Sequence, residues 1–318
     1  MGVFHLSGLG LNPGAVTVPL TYIYYILKQC EVGDTNSRNF FIHSGEEDEI
    51  LKGKPEALII FTSEEVILGK KQRDIKDNIF KTKKQKSAPF TIMKFLANLI
   101  KELKFSECLY GEYGIKYLYF IKVDINRFED CYKKIFLTMK ALQNKEVECN
   151  LIGGTNQINL SLMLAGAITG VVSRLYYVFE TDIQLMHPSF VNQKDLKVPV
   201  PPLNWFEIPP FFISIGDLIK KLESVGILYN PVNIAQIKDI LDDLNLTKQF
   251  LAKLRGRWIL IDNDKVEAGP LLKNTIKIHR MLEAESKNVQ NFTEFKNYFS
   301  KKGYLYKFIE DGKECQIL

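Results

Sequence analysis

The chain has 318 residues, room for one large domain or two ordinary ones, and 46% apolar with 25% charged residues is the composition of a globular protein with a sizeable core. The 42 Lys and Arg against 37 Asp and Glu leave a net charge of +5, an excess that permits an anionic ligand or nucleic acid and requires neither. Cys30, Cys108, Cys131, Cys149 and Cys315 are scattered, odd in number and without a C-x-x-C pair, which argues free thiols in a reducing compartment. His5, His43, His187 and His279 stand in no metal-ligand spacing, so neither a metal nor another cofactor is expected. The apolar start is broken by His5 and a glycine-rich turn, unlike a signal peptide, and no stretch is long enough to span a bilayer. The expectation is a cytoplasmic protein with no membrane partner.

Taken in order, Val3 to Ser7 reads as a first strand, followed by a turn Gly8-Leu9-Gly10-Leu11-Asn12-Pro13-Gly14 and a helix from about Ala15 to Gln29. Pro13 suits the first turn of that helix, where a missing N–H costs nothing. The polar segment Glu31 to Gly53 reads as a surface loop, and its Arg38…His43 pair has a ribonuclease-like R-x4-H spacing by chance. Ala57 to Thr62, ALIIFT, is a continuous apolar run of the kind buried in parallel sheets. The basic run Lys81 to Lys86 reads as a solvated face or mobile loop, with a ligand-facing lid as the alternative. Phe90 to Phe105 is an amphipathic helix, Tyr117 to Val123 an alternating strand, Asn126 to Leu142 a helix and Glu146 to Ile152 a strand.

The stretch Asn150 to Gly170, NLIGGTNQINLSLMLAGAITG, carries the strongest signal. An apolar strand ends at Gly153-Gly154-Thr155-Asn156, and small and apolar residues then continue at helical spacing. Paired glycines let the backbone pass close to something and leave the first helical N–H groups open; a helix N-terminus favours an anion, usually a phosphate. Arg174 to Glu180 is the next strand. Alternating strand and helix from Val3 to Glu180 predict a doubly wound, mainly parallel α/β sheet, Rossmann-like, with ligands beyond the carboxyl ends of its strands. Both glycine turns fall at such ends and are expected to face one site.

From Asp182 to Pro210 six prolines predict a linker or strap. Helices follow at Ile215–Val225, Ile234–Leu244 and Thr247–Leu254, then a hairpin through Trp258–Ile261 and Lys265–Glu267, and a helix Leu271–Glu285. Three short helices and a hairpin is the order of a winged helix-turn-helix. Lys248, Lys253, Arg255 and Arg257 mark the helix from Thr247 as its candidate recognition element, while Asp239, Asp242 and Asp243 dilute the positive field that DNA binding needs. Asp262, Asp264 and Glu267 read as part of the wing and not as a metal centre. The last helix, Phe292 to Lys301, and a strand Tyr304 to Ile309 look like a dimerisation or covering element. The expected domains are 1–182, a linker at 183–210, and 211–318, a mainly α winged-helix unit.

Together, GLGLNPGAVTVPLTYIYYIL at 8–27 and NLIGGTNQINLSLMLAGAITG at 150–170 resemble the CARF family, the CRISPR-associated Rossmann-fold domains, over about the first 180 residues. Many members have a first-strand turn of the form LGTSPGVVT and later a strand running into GGT followed by a lysine. The resemblance implies a homodimer whose paired sites bind a cyclic oligoadenylate, most often the tetra-adenylate of type III CRISPR defence. Some members are ring nucleases: the ribose 2′-hydroxyl attacks the adjacent phosphorus without a metal and leaves a 2′,3′-cyclic phosphate. The ligand-binding residues implied are Ser7, Gly8, Gly10, Leu11, Asn12, Pro13, Gly153, Gly154, Thr155, Asn156 and Gln157. Asn12 and Asn156 stand where related ring nucleases have a serine and a lysine, and are the expected catalytic residues. Both departures weaken the case for cleavage, since an asparagine amide replaces a lysine's charge only in part. The alternative is a non-catalytic sensor that regulates transcription through the winged helix.

Overall fold

The computed structural model describes residues 2–41, 53–69, 87–106, 110–178, 200, 202, 205–208, 215–244 and 248–315. The strands are β1 Val3–Gly8, β2 Pro55–Thr62, β3 Tyr117–Lys122, β4 Glu146–Asn150, β5 Val172–Val178, β6 Trp205–Ile208, β7 Val232–Asn233, β8 Ile259–Asp262, β9 Lys265–Ala268, β10 Leu305–Glu310 and β11 Lys313–Glu314. The helices, numbered in chain order, are α1 Gly14–Glu31, α2 Thr35–Phe41, α3 Glu64–Ile67, α4 Ala88–Leu103, α5 Phe128–Ala141 and α6 Asn156–Thr169. After them come α7 Ile215–Ser224, α8 Ile234–Asp243, α9 Lys248–Leu254, α10 Pro270–Ser286 and α11 Phe292–Lys301. The Lys81–Lys86 run, His43, His187, Cys108, Thr247 and most of the proline-rich segment lie outside the described residues.

Among the described residues, eight strands form one sheet in the order β11-β10-β3-β2-β1-β4-β5-β6. The five from β3 to β5 are parallel, and both edges are antiparallel. The parallel order 3-2-1-4-5 is compatible with a Rossmann-like fold, in which the connections change direction between β1 and β4. One face buries Leu58, Ile60 and Phe120 under α1 and α4. The other buries Phe4, Leu6, Ile59 and Cys149 under α5, α6 and α11. The long apolar runs in β2 and β3 therefore follow from being covered on both sides.

Several expectations need correction. Within the predicted loop at 31–53, residues Thr35–Phe41 form α2: the Asp34 carboxylate accepts the N–H of Ser37 at 2.7 Å as a cap, and Phe41 is buried. The proline-rich strap contributes a strand, β6, whose Trp205 stacks on Tyr176 at 4.5 Å. β3 is not half-exposed. Tyr117 to Ile121 are all buried, because β10 adds to its edge and α11 covers it.

The boundary at 211 also fails for the last segment. Phe292 packs 5.1 Å from Phe4 and 5.0 Å from Tyr117, Phe295 and Phe299 are fully buried, and β10 and β11 extend the main sheet. Residues 292–314 thus belong to the first unit. The sequence shows the helix and strand, but nothing local says which core receives their aromatic face.

The smaller unit contains α7, α8, α9 and a three-stranded sheet β7-β9-β8 around Leu218, Ile219, Ile237, Ile259 and Val266. Helix α10 joins the two units. Its first half, Leu272 and Ile276, enters the small core, and Leu282 near its end enters the large one.

Candidate functional site

The two glycine turns meet. They leave the carboxyl ends of β1 and β4, the neighbouring strands at which the sheet order reverses, and their backbones are in contact. A Cβ placed on Gly8 would lie 2.6 Å from Gly153 O and 3.0 Å from Gly154 Cα, and one on Gly153 would collide with Gly8 O. Gly154 has φ +90°, a conformation that side chains other than glycine's strain to adopt. Glycine at 8, 153 and 154 is therefore a requirement of close approach.

Asn150, the last residue of β4, fastens the turns together. It is 2% exposed, and its Nδ2 donates to Ser7 Oγ at 3.1 Å and to Ala15 O at 2.9 Å, while its Oδ1 accepts from Ile152 N at 2.9 Å. The Ala15 carbonyl needs such a partner because Pro19, four residues later in α1, has no N–H to give it. A proline inside a helix and an asparagine at a strand end are thus two halves of one contact. Thr62 adds a further brace, its hydroxyl donating to Leu9 O at 2.7 Å. Sequence reasoning missed Asn150, Pro19 and Thr62 as parts of the site; the proline inside an apolar helical pattern was the available signal.

The predicted site residues divide into builders and faces. Ser7, Gly8, Pro13 and Gly153 are buried. Ser7 Oγ donates to Gly8 O at 2.9 Å and accepts from Asn150, so its hydroxyl is committed to the scaffold. Gly10, Gly154, Thr155 and Gln157 are half-buried, and Leu11, Asn12 and Asn156 are exposed.

The two helix starts differ. In α1, Asn12 Oδ1 accepts the Gly14 N–H at 2.9 Å, Ala15 N donates to Asn12 O at 3.2 Å and Val16 N to Pro13 O at 3.0 Å. Asn12 is thus an N-cap with proline in the first helical position, and this end of α1 supplies its own acceptors. In α6, Thr155 occupies the cap position with extended geometry but makes no side-chain cap bond, and its Oγ1 is buried with no partner among the described residues. The first-turn N–H groups from Asn156 onward are those a helix leaves unsatisfied, and they carry the positive dipole end. Of the two glycine turns, one thus leads into an open helix start, at α6, and the other into a capped start, at α1.

Neither Ser7–Ala15 nor Asn150–Gln157 contains a charged residue. On these two turns, positive potential comes from the backbone N–H groups and the start of α6. Deeper in the sheet, on the α1 side, lies a buried polar cluster: His5 Nδ1 is 3.3 Å from Tyr176 Oη and 3.7 Å from Glu148, and Arg174 lies 3.6 Å from Glu148 and 2.8 Å from Glu207. Burial lowers the His5 pKa, against the pull of the Glu148 carboxylate, and the Arg174 cation lowers it further. This cluster ties β1, β4, β5 and β6 together beneath the crevice.

Among the described residues no helix is long and apolar enough to cross a membrane. No family model matches the chain. It is 36% identical over 302 residues to an uncharacterized protein of Archaeoglobus fulgidus, in an alignment that takes in 91% of this chain and 94% of the archaeal one. At that identity and coverage, the chain belongs to the same family as the Archaeoglobus protein.

Proposed function

We propose that two copies of this chain bind one cyclic oligoadenylate, of tetra-adenylate size, across paired crevices, and that the protein opens the ring and so ends a type III CRISPR signal. The observation that carries the reading is the backbone contact between the glycine turns at the strand-order reversal, with the open start of α6 beside it. A ring of phosphates suits amide-lined backbone, and a two-fold protein suits a symmetric ring. The buried, unpartnered Thr155 hydroxyl at that helix start is a donor in want of an acceptor, which a phosphoryl oxygen supplies.

In the reaction a ribose 2′-oxygen bonds to the adjacent phosphorus, the bond from phosphorus to the 5′-oxygen breaks, and the proton lost by the 2′-hydroxyl is balanced by one gained at the 5′-oxygen. Asn156, exposed in the first turn of α6, is placed to donate to the phosphoryl oxygens together with the free amides. Asn12 is assigned a smaller part than its position in the motif implies, because its Oδ1 holds the start of α1. With no cation or titratable base on either turn, acceleration comes from in-line positioning and backbone dipoles, and turnover is slow.

The same absence of charge favours a second reading, a sensor without chemistry. In it, α7 to α9 and the β7-β9-β8 sheet are a winged helix-turn-helix that binds DNA through exposed Lys253, Arg255 and Arg257. Incubation of the purified protein with cyclic tetra-adenylate in EDTA separates the two. Linear products ending in a 2′,3′-cyclic phosphate support the nuclease, tight binding of an intact ring supports the sensor, and no binding removes both.

A further inference from the structure

A cavity of about 570 Å³ lies between the two units, away from the crevice, where α5, α7 and α10 all end. Its walls carry four cations, Lys140, Lys220, Arg280 and Lys287, against two carboxylates, Glu223 and Glu283. The carboxylates are spoken for: Glu223 pairs with Arg280 at 2.6 Å and Glu283 with Lys140 at 2.8 Å. Among the described residues Lys220 has one ion pair, with Asp217 at 4.0 Å on the exposed face of its own helix. Lys287 has no ion pair among the described residues. Among the described residues, the cavity lining therefore carries an excess of two positive charges.

Helix ends explain part of this. The carboxyl ends of three helices converge here, and Lys140 in the last turn of α5 and Lys287 just past the end of α10 offset negative dipole ends. They do not explain His279. It is 8% exposed, its ring meets Phe136 edge-on at 6.4 Å, Nδ1 lies 4.0 Å from Glu283, and Nε2 is buried with no hydrogen-bond partner among the described residues. A buried imidazole nitrogen left unpaired beside surplus positive charge is costly unless something occupies the cavity.

We infer that this cavity is a binding site for a small phosphate-bearing anion, held by Lys287 and Lys220 and read by His279 Nε2. The two surplus cations match the charge of a phosphate monoester, Ser286, Gln143 and Gln290 supply further polar wall, and the volume admits a mononucleotide-sized molecule. Burial lowers the pKa of free His279; Glu283 and Glu223 oppose this, and Lys220 and Lys140 add to it. An anion against Nε2 reverses the balance, since it favours the imidazolium that donates to it. Because α10 is rooted in both cores, occupancy also fixes the small unit against the sheet.

The test is a titration of the full chain with inorganic phosphate and, separately, with adenosine 5′-monophosphate, followed by the imidazole nitrogen resonances of the histidines in NMR. His279 is assigned by the signal missing from His279→Gln. The expected result is a saturable response at His279, with its pKa raised by about half a unit or more. Charge reversal in Lys287→Glu is expected to weaken binding by about tenfold or more, while the same change in Lys313→Glu, far off on β11, leaves it unaltered. Lys287 is exposed, so this variant stands in if His279→Gln folds poorly. Tighter binding of the nucleotide points to an ester ligand, and equal or tighter binding of phosphate points to the free ion. No saturable response at tens of millimolar, or equal binding by both lysine variants, overturns the proposal and leaves the cavity to water.

Discussion

The contact of the glycine turns at the ends of β1 and β4 is made of backbone, whereas the cavity beneath α10 is made of side-chain charge. In the crevice glycines touch, a buried asparagine joins strand to helix, and no ionisable group lies on either turn. In the cavity six charged side chains and a histidine face one another across the meeting of two units. The difference teaches where specificity and adaptability reside. Close-packed backbone has one geometry and tolerates little change. Long charged side chains on helix ends re-pair at modest cost, so a site built from them is suited to adjusting with its contents. The first region is suited to holding a shaped ligand and the second to sensing whether an anion is present.

The largest effect expected from breaking this contrast is on the crevice side. Gly153→Val drives a side chain into the carbonyl of Gly8, and stability is expected to fall by about 2–3 kcal/mol or more in denaturant unfolding. Asn150→Ala comes next. It leaves the Ala15 carbonyl and the Ile152 N–H without their partner, at a cost of roughly 2–3 kcal/mol by the same measurement, although the residue touches no ligand in the proposed reading. An Asn150→Ala protein as stable as the parent would show that the turns hold together without this contact.

A smaller, pH-dependent effect concerns the buried histidines. The pKa values of His5 and His279 are lowered in the folded chain from the ordinary 6.5. The unfolded chain therefore binds protons first as pH falls. Stability is full above about 6.5 and declines below it. His5, inside the sheet, is expected to dominate that decline, so His5→Phe flattens the pH profile of unfolding more than His279→Gln does. A profile equally steep in His5→Phe would assign the decline to other groups. The smallest stability change is expected for Asn156→Ala, which is exposed and leaves the melting temperature within error. Under the nuclease reading it slows ring opening, and an unchanged rate would take Asn156 out of the reaction.

Much of the parallel sheet was legible. ALIIFT and the strand before Gly153 are short apolar runs with turn signals at both ends, and the alternation of strand with helix placed both glycine turns at carboxyl ends. The edges were not legible. Trp205 sits among prolines that suggest irregular chain, yet its neighbours pair with β5 because Tyr176 offers the indole a face to stack on. The aromatic stripe Phe292, Phe295 and Phe299 showed an amphipathic helix but not its destination, which long-range packing against Phe4 and Tyr117 decides. In the site itself, glycine spacing revealed the crevice. That one helix start is capped by Asn12 and the other left open depends on side-chain rotamers that periodicity does not encode.

The most direct test of the central claim is to map cyclic tetra-adenylate onto the backbone amides by NMR at increasing ligand. The account predicts saturable shifts concentrated at 8–14 and 153–157, strongest in the first turn of α6, with one ring bound per two chains. Shifts confined to the residues around His279, or none at either turn, would contradict it.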